Sequence, residues 1–358
     1  MSITPICQVK NLEPTVTAII CNYNYGAYLP TAIDSVLLQT WKKLEVIVVD
    51  DGSTDNSREI LKQYEGRVRI ILKKNGGQAS AFNIGVSEAC GGIICFLDSD
   101  DFWYPKKVEN IVKKYYESGC GIISHDLSII DKKGEPKFYQ WSKLFDVTFH
   151  TGNLLKNIIN DGYPWVFGPT SGISVSSDIA RIIFPIPEKE WRLCADNPIA
   201  YAAVCHAPVG VIEDSLGSYR IHQKNAFAGL YKNTSAKLFN SILQPILRYQ
   251  FLKKYLKSLG YEIKKSPKEN YRYFRRWCFI ASEKPWRYLL LLIKENFKYF
   301  RKRNTQFRCF KILAFLIMDI TIILTITLKI NRKYKNARKF FIDKMDSIDT
   351  GITILLKK

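Results

Sequence analysis

The sequence predicts an α/β fold in which helices flank a mostly parallel sheet, and three observations lead to that prediction. Apolar, β-branched runs alternate with amphipathic segments four times within the first 120 residues. The links between them are short, as in βαβ units. Two of the runs end in acidic clusters, Asp50-Asp51-Gly52-Ser53 and Asp98-Ser99-Asp100-Asp101. Because open α/β sheets bind ligands outside the carboxyl ends of their strands, both clusters should face a cleft.

Each element follows from its local pattern. Runs of four or five apolar residues between turn signals predict buried strands, and apolar residues three or four positions apart predict helices. The first helix, for example, carries Leu29, Ile33 and Val36 on one face. The predicted strands are 15–21, 44–50, 68–72, 93–97, 120–124 and 209–212, and the predicted helices are 27–39, 54–64, 78–89 and 106–117. The loop-rich stretch 162–172 suits a pocket wall and an ordinary surface loop about equally well.

Charge divides the chain into two parts near residue 230. Residues 231–358 contain 30 Lys and Arg against 8 Asp and Glu, whereas residues 1–230 contain 23 against 25. We therefore expect a domain at 1–230, followed by a basic, helical region at 231–358. Such a region suits an anionic membrane surface or nucleic acid. Its long apolar segment fits lipid better than nucleic acid.

That apolar segment, 312–330, is interrupted by Asp319 and has basic residues on both sides. A spanning helix needs about 20 apolar residues, and a central Asp costs roughly 2.5–3.5 kcal/mol on insertion scales. Positive charge on both flanks argues against a simple crossing. An in-plane or hairpin membrane contact, a true span and a soluble helix all stay open. We expect a protein that is peripheral at the inner face of the cell membrane.

The start of the chain and the cysteines bear on the compartment. Met1-Ser2-Ile3-Thr4-Pro5 has no basic stretch followed by an apolar core, so no signal peptide is expected. The nine cysteines are scattered and form no Cys-x-x-Cys pair. Disulfide or metal use by these thiols is therefore not expected, and a reducing cytoplasm is favoured.

Asp98-Ser99-Asp100 carries the strongest chemical signal. Mg²⁺ prefers one or two carboxylates together with phosphate oxygens. Two carboxylates one residue apart at a strand end can hold one such metal and one ribose. The cluster at Asp50 repeats this arrangement, although a plain turn followed by a Ser cap explains it as an alternative. Nucleotide-dependent chemistry is the predicted function.

The two clusters belong to a longer series of motifs: AIICNYN at 18–24, AIDSVLLQT at 32–40, VVDDGSTD at 48–55, NGGQA at 75–79 and FLDSDD at 96–101. In this set and order, residues 15–225 resemble glycosyltransferase family 2. Members of that family use nucleotide sugars and have a GT-A type, Rossmann-like fold. The resemblance implies an inverting transfer in which Mg²⁺ or Mn²⁺ bridges the diphosphate of the donor.

The resemblance also implies which residues bind the nucleoside part of the donor. Cys21 and Asn22 would edge the base pocket, and Asp51 would accept a hydrogen bond from the base. Asp98 would hold the ribose side, with Ser99 beside it in the nucleotide-sugar site.

A further segment that would line the nucleotide site contains Gly77 and Asn83. The family often has Arg just before that Asn, whereas this chain has Phe82. A contact that depends on this cation is therefore not expected here.

The metal and the leaving group involve three residues. Asp100 would bind the metal. His222, within Tyr-Arg-Ile-His-Gln-Lys-Asn, matches a family motif and would coordinate the metal or contact the diphosphate, although lone histidines are more often structural. Arg220 would offset the negative charge of the departing nucleotide.

The general base is assigned to Asp196. Displacement at an anomeric carbon needs a carboxylate close to the incoming hydroxyl. Family members place such a residue before a helix in the second half of the domain, and Cys-Ala-Asp-Asn-Pro at 194–198 matches that pattern. The alternative is a helix cap ahead of Pro198, and Glu190 is a second candidate base.

These expectations combine into one predicted function, transfer of a sugar from a nucleotide-diphosphate donor to a hydroxyl of a lipid-linked or surface-glycan acceptor. UDP-sugars are the expected donors by analogy, and no residue excludes guanosine or thymidine. No Gln-x-x-Arg-Trp motif is present, which favours single transfer over processive synthesis. Two alternatives stay open: a sugar nucleotidyltransferase, and a non-catalytic protein that binds membrane or nucleic acid through the same fold.

Overall fold

The computed structural model describes residues 13–145, 147–161, 167–222, 225 and 244–264. Three expectations fall outside these ranges: the boundary near residue 230, the basic region beyond residue 264 and the apolar segment 312–330. All three stay predictions. Within the described ranges, every helix falls short of the length and hydropathy that a membrane crossing requires.

Strands and helices alternate as expected up to residue 118, except that an unpredicted short strand, Phe102–Trp103, directly follows the strand Ile93–Asp98. The strands are β1 Val16–Asn22, β2 Leu44–Asp50, β3 Arg69–Leu72, β4 Ile93–Asp98, β5 Phe102–Trp103, β6 Ile122–Ile130, β7 Pro136–Phe138, β8 Ile173–Ser176 and β9 Val209–Arg220. The helices are α1 Leu29–Leu37, α2 Ser57–Lys62, α3 Gln78–Ser87, α4 Lys107–Ser118, α5 Trp141–Phe145, α6 Leu155–Asp161, α7 Ser177–Ile183, α8 Asp196–Ala203 and α9 Gln244–Ser258. β6 and β9 extend well beyond the predicted ranges 120–124 and 209–212.

One half of the sheet is parallel and carries both acidic clusters. Strands β3, β2, β1 and β4 lie side by side in that order. The register pairs Asn22 at the end of β1 with Asp50 of β2, and Cys21 with Asp98 of β4. The two clusters therefore leave the same edge of the sheet on either side of β1, as parallel strands require.

The other half of the sheet is mixed. The order continues through β8, β6, β9 and β5, and β7 pairs with β6. β8 runs antiparallel to β4 and β6, whereas β6 and β9 are parallel to each other. Helices cover both faces of the sheet, so the predicted α/β class is confirmed.

Buried apolar residues form a cluster on each face of the sheet. Ile20 of β1 packs with Leu29 and Ile33 of α1 on one face. Ile19, the neighbouring residue, packs with Phe82 of α3 on the other face. Because successive side chains of a strand point to opposite faces, β1 is buried on both sides, as its continuous apolar run predicts.

Helix α9 packs against this second face although it lies beyond residue 230. Leu252 and Leu256 are fully buried in the same cluster as α8. The hydroxyl of Tyr255 lies 2.8 Å from Nε2 of His206. Helix α9 thus belongs to the same compact unit as the sheet, and its position brings one of its side chains to the site described next.

Candidate active site

A cavity of about 570 Å³ opens at the carboxyl ends of β1, β2 and β4. Small-molecule sites commonly have volumes of roughly 300–1,000 Å³. The cavity wall includes seven of the eleven predicted site residues: Cys21, Asp51, Gly77, Asp98, Ser99, Asp100 and Asp196. The other four predicted site residues are described by the structure but do not line the cavity: Asn22, Asn83, Arg220 and His222.

Asn22 connects the two acidic clusters from below the cavity. Its side chain is fully buried, and its Nδ2 donates to Oδ1 of Asp50 at 2.9 Å and to Oγ of Ser53 at 3.1 Å. Its Oδ1 accepts from Oγ of Ser99 at 2.9 Å. The side chains of Asn22 and Ser99 therefore bind each other. Through these bonds Asn22 links the turn after Asp50 to the turn after Asp98.

Asp51 binds the loop that follows β3. Its Oδ1 accepts from Nζ of Lys73 at 2.5 Å and from N–H of Gly76 at 2.8 Å. Its Oδ2 accepts from N–H of Gly77 at 2.7 Å and from Nδ2 of Asn75 at 3.2 Å. A carboxylate has about four acceptor sites. A hydrogen bond to a nucleotide base at Asp51 therefore needs one of these four donors to move away.

Gln78 joins Asp98 to the loop that carries Asp196. Its Nε2 donates to Oδ1 of Asp98 at 2.7 Å, and its Oε1 accepts from N–H of Ala195 at 2.9 Å. Its own N–H donates to the carbonyl of Arg192 at 2.8 Å. Sequence reasoning gave Gln78 no role, because the residue stands inside the NGGQA motif with nothing local to indicate its two distant partners.

Asp98 and Asp100 place two carboxylates on the same wall. Burial, followed by the charge of Asp100, raises the pKa of Asp98 to about 7. Oδ2 of Asp100 lies 2.9 Å from Nε2 of His222 and accepts from Nδ2 of Asn225 at 3.1 Å. The ring of His222 contacts the rings of Tyr25 and Tyr28. His222 thus lies behind Asp100 and touches the carboxylate predicted to bind the metal.

Arg220 supports the same turn from β9. Its N–H donates to Oδ1 of Asp101 at 2.9 Å, and its Nε donates to the carbonyl of Asp100 at 2.8 Å. Its guanidinium lies 4.8 Å from the ring centre of Tyr28. Arg220 is buried, so the structure places its charge beneath the acidic turn, and its predicted contact with a leaving nucleotide stays a prediction.

Asp196 is the first residue of α8 and lines the cavity. Ala195 occupies the cap position of the helix and makes no side-chain capping bond there. Burial raises the pKa of Asp196, whereas the charge of Arg248 and backbone hydrogen bonds lower it. Arg248 comes from α9 and lines the same cavity, and sequence reasoning missed it because only the packing of α9 brings it there.

Asn83 of α3 is not among the described residues that line the cavity. Its Nδ2 donates to the carbonyl of Ile186 at 2.9 Å, and its Oδ1 accepts from the N–H of the same residue at 2.9 Å. Phe82, where the family often has Arg, is fully buried with its ring centre 5.0 Å from that of Phe96. In the described residues this segment supports the core, and a direct nucleotide contact by Asn83 stays a prediction.

The donor set on the wall suits a divalent cation that takes further ligands from a substrate. Asp98 and Asp100 supply oxygen atoms. Burial, followed by the charge of Asp100, raises the pKa of Asp98, and a bound cation would offset both effects. Within the described ranges, no three His, Cys, Asp or Glu side chains come together as a complete metal site. Mg²⁺ commonly takes one or two carboxylates and completes its shell with phosphates and water, so these residues fit such an ion.

The chain is similar to glycosyltransferases over most of its length. A family model described as Glycosyl transferase family 2 matches residues 17–179. An uncharacterized glycosyltransferase of Nostoc sp. (strain PCC 7120) is 34% identical over 275 residues, covering 75% of this chain and 84% of that protein. The putative teichuronic acid biosynthesis glycosyltransferase TuaG of Bacillus subtilis is 37% identical over 132 residues, covering 36% of this chain and 52% of that protein.

The solved structures that resemble this chain include those of S. aureus TarS. The crystal structure of TarS 1-349 has a TM-score of 0.48 and 19% identity, with 75% of each chain covered. The same protein in complex with UDP-GlcNAc has a TM-score of 0.47 and 18% identity, with 78% of this chain and 84% of that chain covered.

Proposed function

The chain belongs to glycosyltransferase family 2, and from that premise we propose that it moves a sugar from a nucleotide-diphosphate donor to a hydroxyl of a glycan or lipid-linked acceptor, with inversion at the anomeric carbon. Its class as a glycosyltransferase with a GT-A type α/β fold follows from the family match and the sheet. One observation carries the finer proposal: Asp98, Asp100 and Asp196 line one cavity.

The nucleoside would lie along Cys21, Asp51 and Gly77. Asp51 would exchange one of its present donors for the base, and the amide of Asn75 makes the longest of those bonds, at 3.2 Å. We expect Asn75 to give way, because Lys73 and the two backbone N–H groups bind Asp51 at 2.5–2.8 Å.

Asp98 would hold the ribose side of the donor, and Asp100 would hold the Mg²⁺ or Mn²⁺ ion that neutralises the diphosphate. A bound divalent ion supplies electrostatic stabilisation of the negative charge that develops on the leaving nucleotide. His222 and Asn225 restrict the orientation of Asp100 through their contacts with its Oδ2. Arg220 holds the backbone of the same turn through the carbonyl of Asp100.

Asp196 would accept the proton of the acceptor hydroxyl as the new bond forms. A general base works best when its pKa lies near the operating pH. Burial raises the pKa of Asp196 in that direction. Gln78 would keep the loop that carries Asp196 at a fixed position relative to Asp98, because its side-chain amide binds both.

We propose a cell-envelope acceptor at the membrane surface. TuaG is described as a teichuronic acid biosynthesis enzyme, which favours an acceptor from a cell-envelope polysaccharide. A lipid-linked acceptor would lie at the inner face of the cell membrane, and the basic residues of 231–358 would bind that anionic surface. Flotation of the full-length protein with anionic liposomes at low salt tests this, and no flotation would contradict it.

A panel of nucleotide sugars tests the central proposal. The full-length protein is mixed with each donor and Mn²⁺, and nucleotide release and thermal protection are measured. We expect one donor, most readily a UDP-sugar, to protect the protein and to be hydrolysed slowly. The isosteric variant Asp100→Asn should lose metal-dependent protection and at least 100-fold of the release rate, by analogy with the loss of one strong electrostatic contact.

Comparison of Asp196→Asn with Asp100→Asn separates donor binding from the chemical step. Asp196→Asn should keep donor protection and lose transfer, because the variant cannot accept the proton. Asp178→Asn is the matched control, since Asp178 is an exposed carboxylate on α7 that pairs with Arg181. Wild-type release rates in Asp100→Asn, or protection by no nucleotide sugar at all, would contradict the proposal.

A further inference from the structure

Arg248 stands on the face of α9 that packs against the domain. Phe251, Leu252 and Tyr255 follow it at three, four and seven residues, so all four side chains share one helix face. Leu252 is fully buried, and Phe251 and Tyr255 pack against the same cluster. The lysines of this helix at 253, 254 and 257 are exposed on the opposite side. A lone arginine within an otherwise apolar packing face needs an explanation.

Within the described ranges, the protein supplies no hydrogen-bond acceptor for the buried Nε atom of Arg248. In the same part of the chain, no carboxylate comes within 4.0 Å to form an ion pair with Arg248. Burying an unsatisfied donor of a charged group costs more than the roughly 1–3 kcal/mol of a neutral group. Native structures keep such groups mainly where a ligand, ion or water completes them.

Arg248 lies beside the proposed base, at the acceptor end of the cavity. It shares the cavity wall with Cys194, Asp196 and Asn197. Its charge lowers the pKa of Cys194 and of Asp196, opposing the effect of burial at both. Asp98 and Asp100, the carboxylates proposed to hold the ribose and the metal, stand on β4 and the turn after it, whereas Arg248 stands on α9.

We propose that Arg248 is an anion-binding subsite that takes a phosphate or carboxylate group of the acceptor. The inference rests on the proposed function, because it needs Asp196 to mark the acceptor end. An arginine binds either group with paired N–H donors. The subsite would select acceptors that carry a negative charge close to the reacting hydroxyl, and it would hold that hydroxyl near Asp196.

The test uses full-length protein saturated with UDP and Mn²⁺, so that the diphosphate site is already filled. Inorganic phosphate and glucuronate are titrated as anionic probes, with glucose as the neutral control, and binding is followed by thermal shift. We expect phosphate or glucuronate to bind wild type, and the phosphate and glucuronate arms to tell which anion the subsite prefers. In Arg248→Gln the dissociation constant should rise about tenfold or more.

Lys257→Gln is the matched control, since it removes one charge from the exposed face of the same helix and should bind the probes like wild type. Arg248→Lys should keep part of the affinity. The inference is overturned if Arg248→Gln and wild type bind the probes equally, or if the variant weakens UDP instead. It is also overturned if Arg248→Gln, Arg248→Met and Arg248→Lys all lower the melting temperature alike without ligand, because the group would then be structural. Failure of wild type to bind UDP would contradict the proposed function instead, and it would be seen before any anionic probe is added.

Discussion

Replacement of the buried Lys107 by Met tests how this domain tolerates a charge beneath its acidic turn. Lys107 is fully buried at the start of α4. Its Nζ donates to the carbonyl of Ser171 at 2.8 Å and lies 3.5 Å from the ring centre of Trp103. Burial lowers the pKa of Lys107 from 10.5 to about 7, and the nearby Cys95 and Asp101 raise it only in part.

The size of the effect follows from that pKa. Between pH 7 and 10.5 the unfolded chain binds more protons at this lysine than the folded protein does, so stability rises with pH in that window. Because the pKa of Lys107 falls from 10.5 to about 7 on folding, the lysine lowers the free energy of unfolding by roughly 5 kcal/mol at low pH, about 4 at pH 7 and about 2 at pH 9. Met removes this destabilisation, but it leaves the Ser171 carbonyl without its donor, at a cost of about 1–3 kcal/mol.

The decisive quantity is the difference in unfolding free energy between Lys107→Met and wild type. Urea denaturation should show that wild type gains about 2 kcal/mol of unfolding free energy relative to Lys107→Met when the pH rises from 7 to 9. Lys113→Met is the control on the same helix, because Lys113 is exposed and pairs with Glu117, and its difference should stay constant. A difference for Lys107→Met that does not change with pH would refute the reasoning, since it would mean that Lys107 keeps an ordinary pKa in the folded protein.

Three further predictions concern the cavity. Gln78→Leu removes the amide that binds Asp98, and the resulting displacement should lower kcat of donor turnover about tenfold or more with little change in KM. Gly77→Ala should weaken UDP protection and lower the melting temperature, because Gly77 has φ +93° and an added Cβ would lie 2.7 Å from Cα of Arg192. The acidic limb of the kcat/KM profile should lie above the ordinary carboxyl range, because burial raises the pKa of both Asp98 and Asp196, and Asp196→Asn should abolish transfer at every pH. Unchanged kinetics for Gln78→Leu, unchanged melting for Gly77→Ala, or an acidic limb at an ordinary carboxyl pKa would each contradict the corresponding statement.

The local pattern of residues was enough for the parallel half of the sheet. Continuous apolar runs determine β1, β2 and β4, because a strand buried on both faces needs apolar residues at every position. The acidic clusters then had to meet, since the carboxyl ends of parallel strands share one edge of a sheet. The register confirms this by pairing Asn22 with Asp50 and Cys21 with Asp98.

The second half of the sheet was predicted only in part. β6 continues through His125, Asp126 and Ser128, and β9 continues through Glu213 and other polar residues, so neither shows a continuous apolar run. The two strands pair with register shifts between His125 and Ser128. Such strands are stabilised by cross-strand partners, which periodicity along one strand does not reveal.

The sequence by itself determined which carboxylates meet at the edge of the sheet, because strand direction and apolar continuity are local properties. Only the tertiary structure decided what surrounds them. Gln78 reaches Asp98 and Ala195 across separate elements, and α9 brings Arg248 to the wall that holds Asp196. The physical reason is that these contacts join residues far apart in the chain, and their positions depend on how helices pack over the finished sheet.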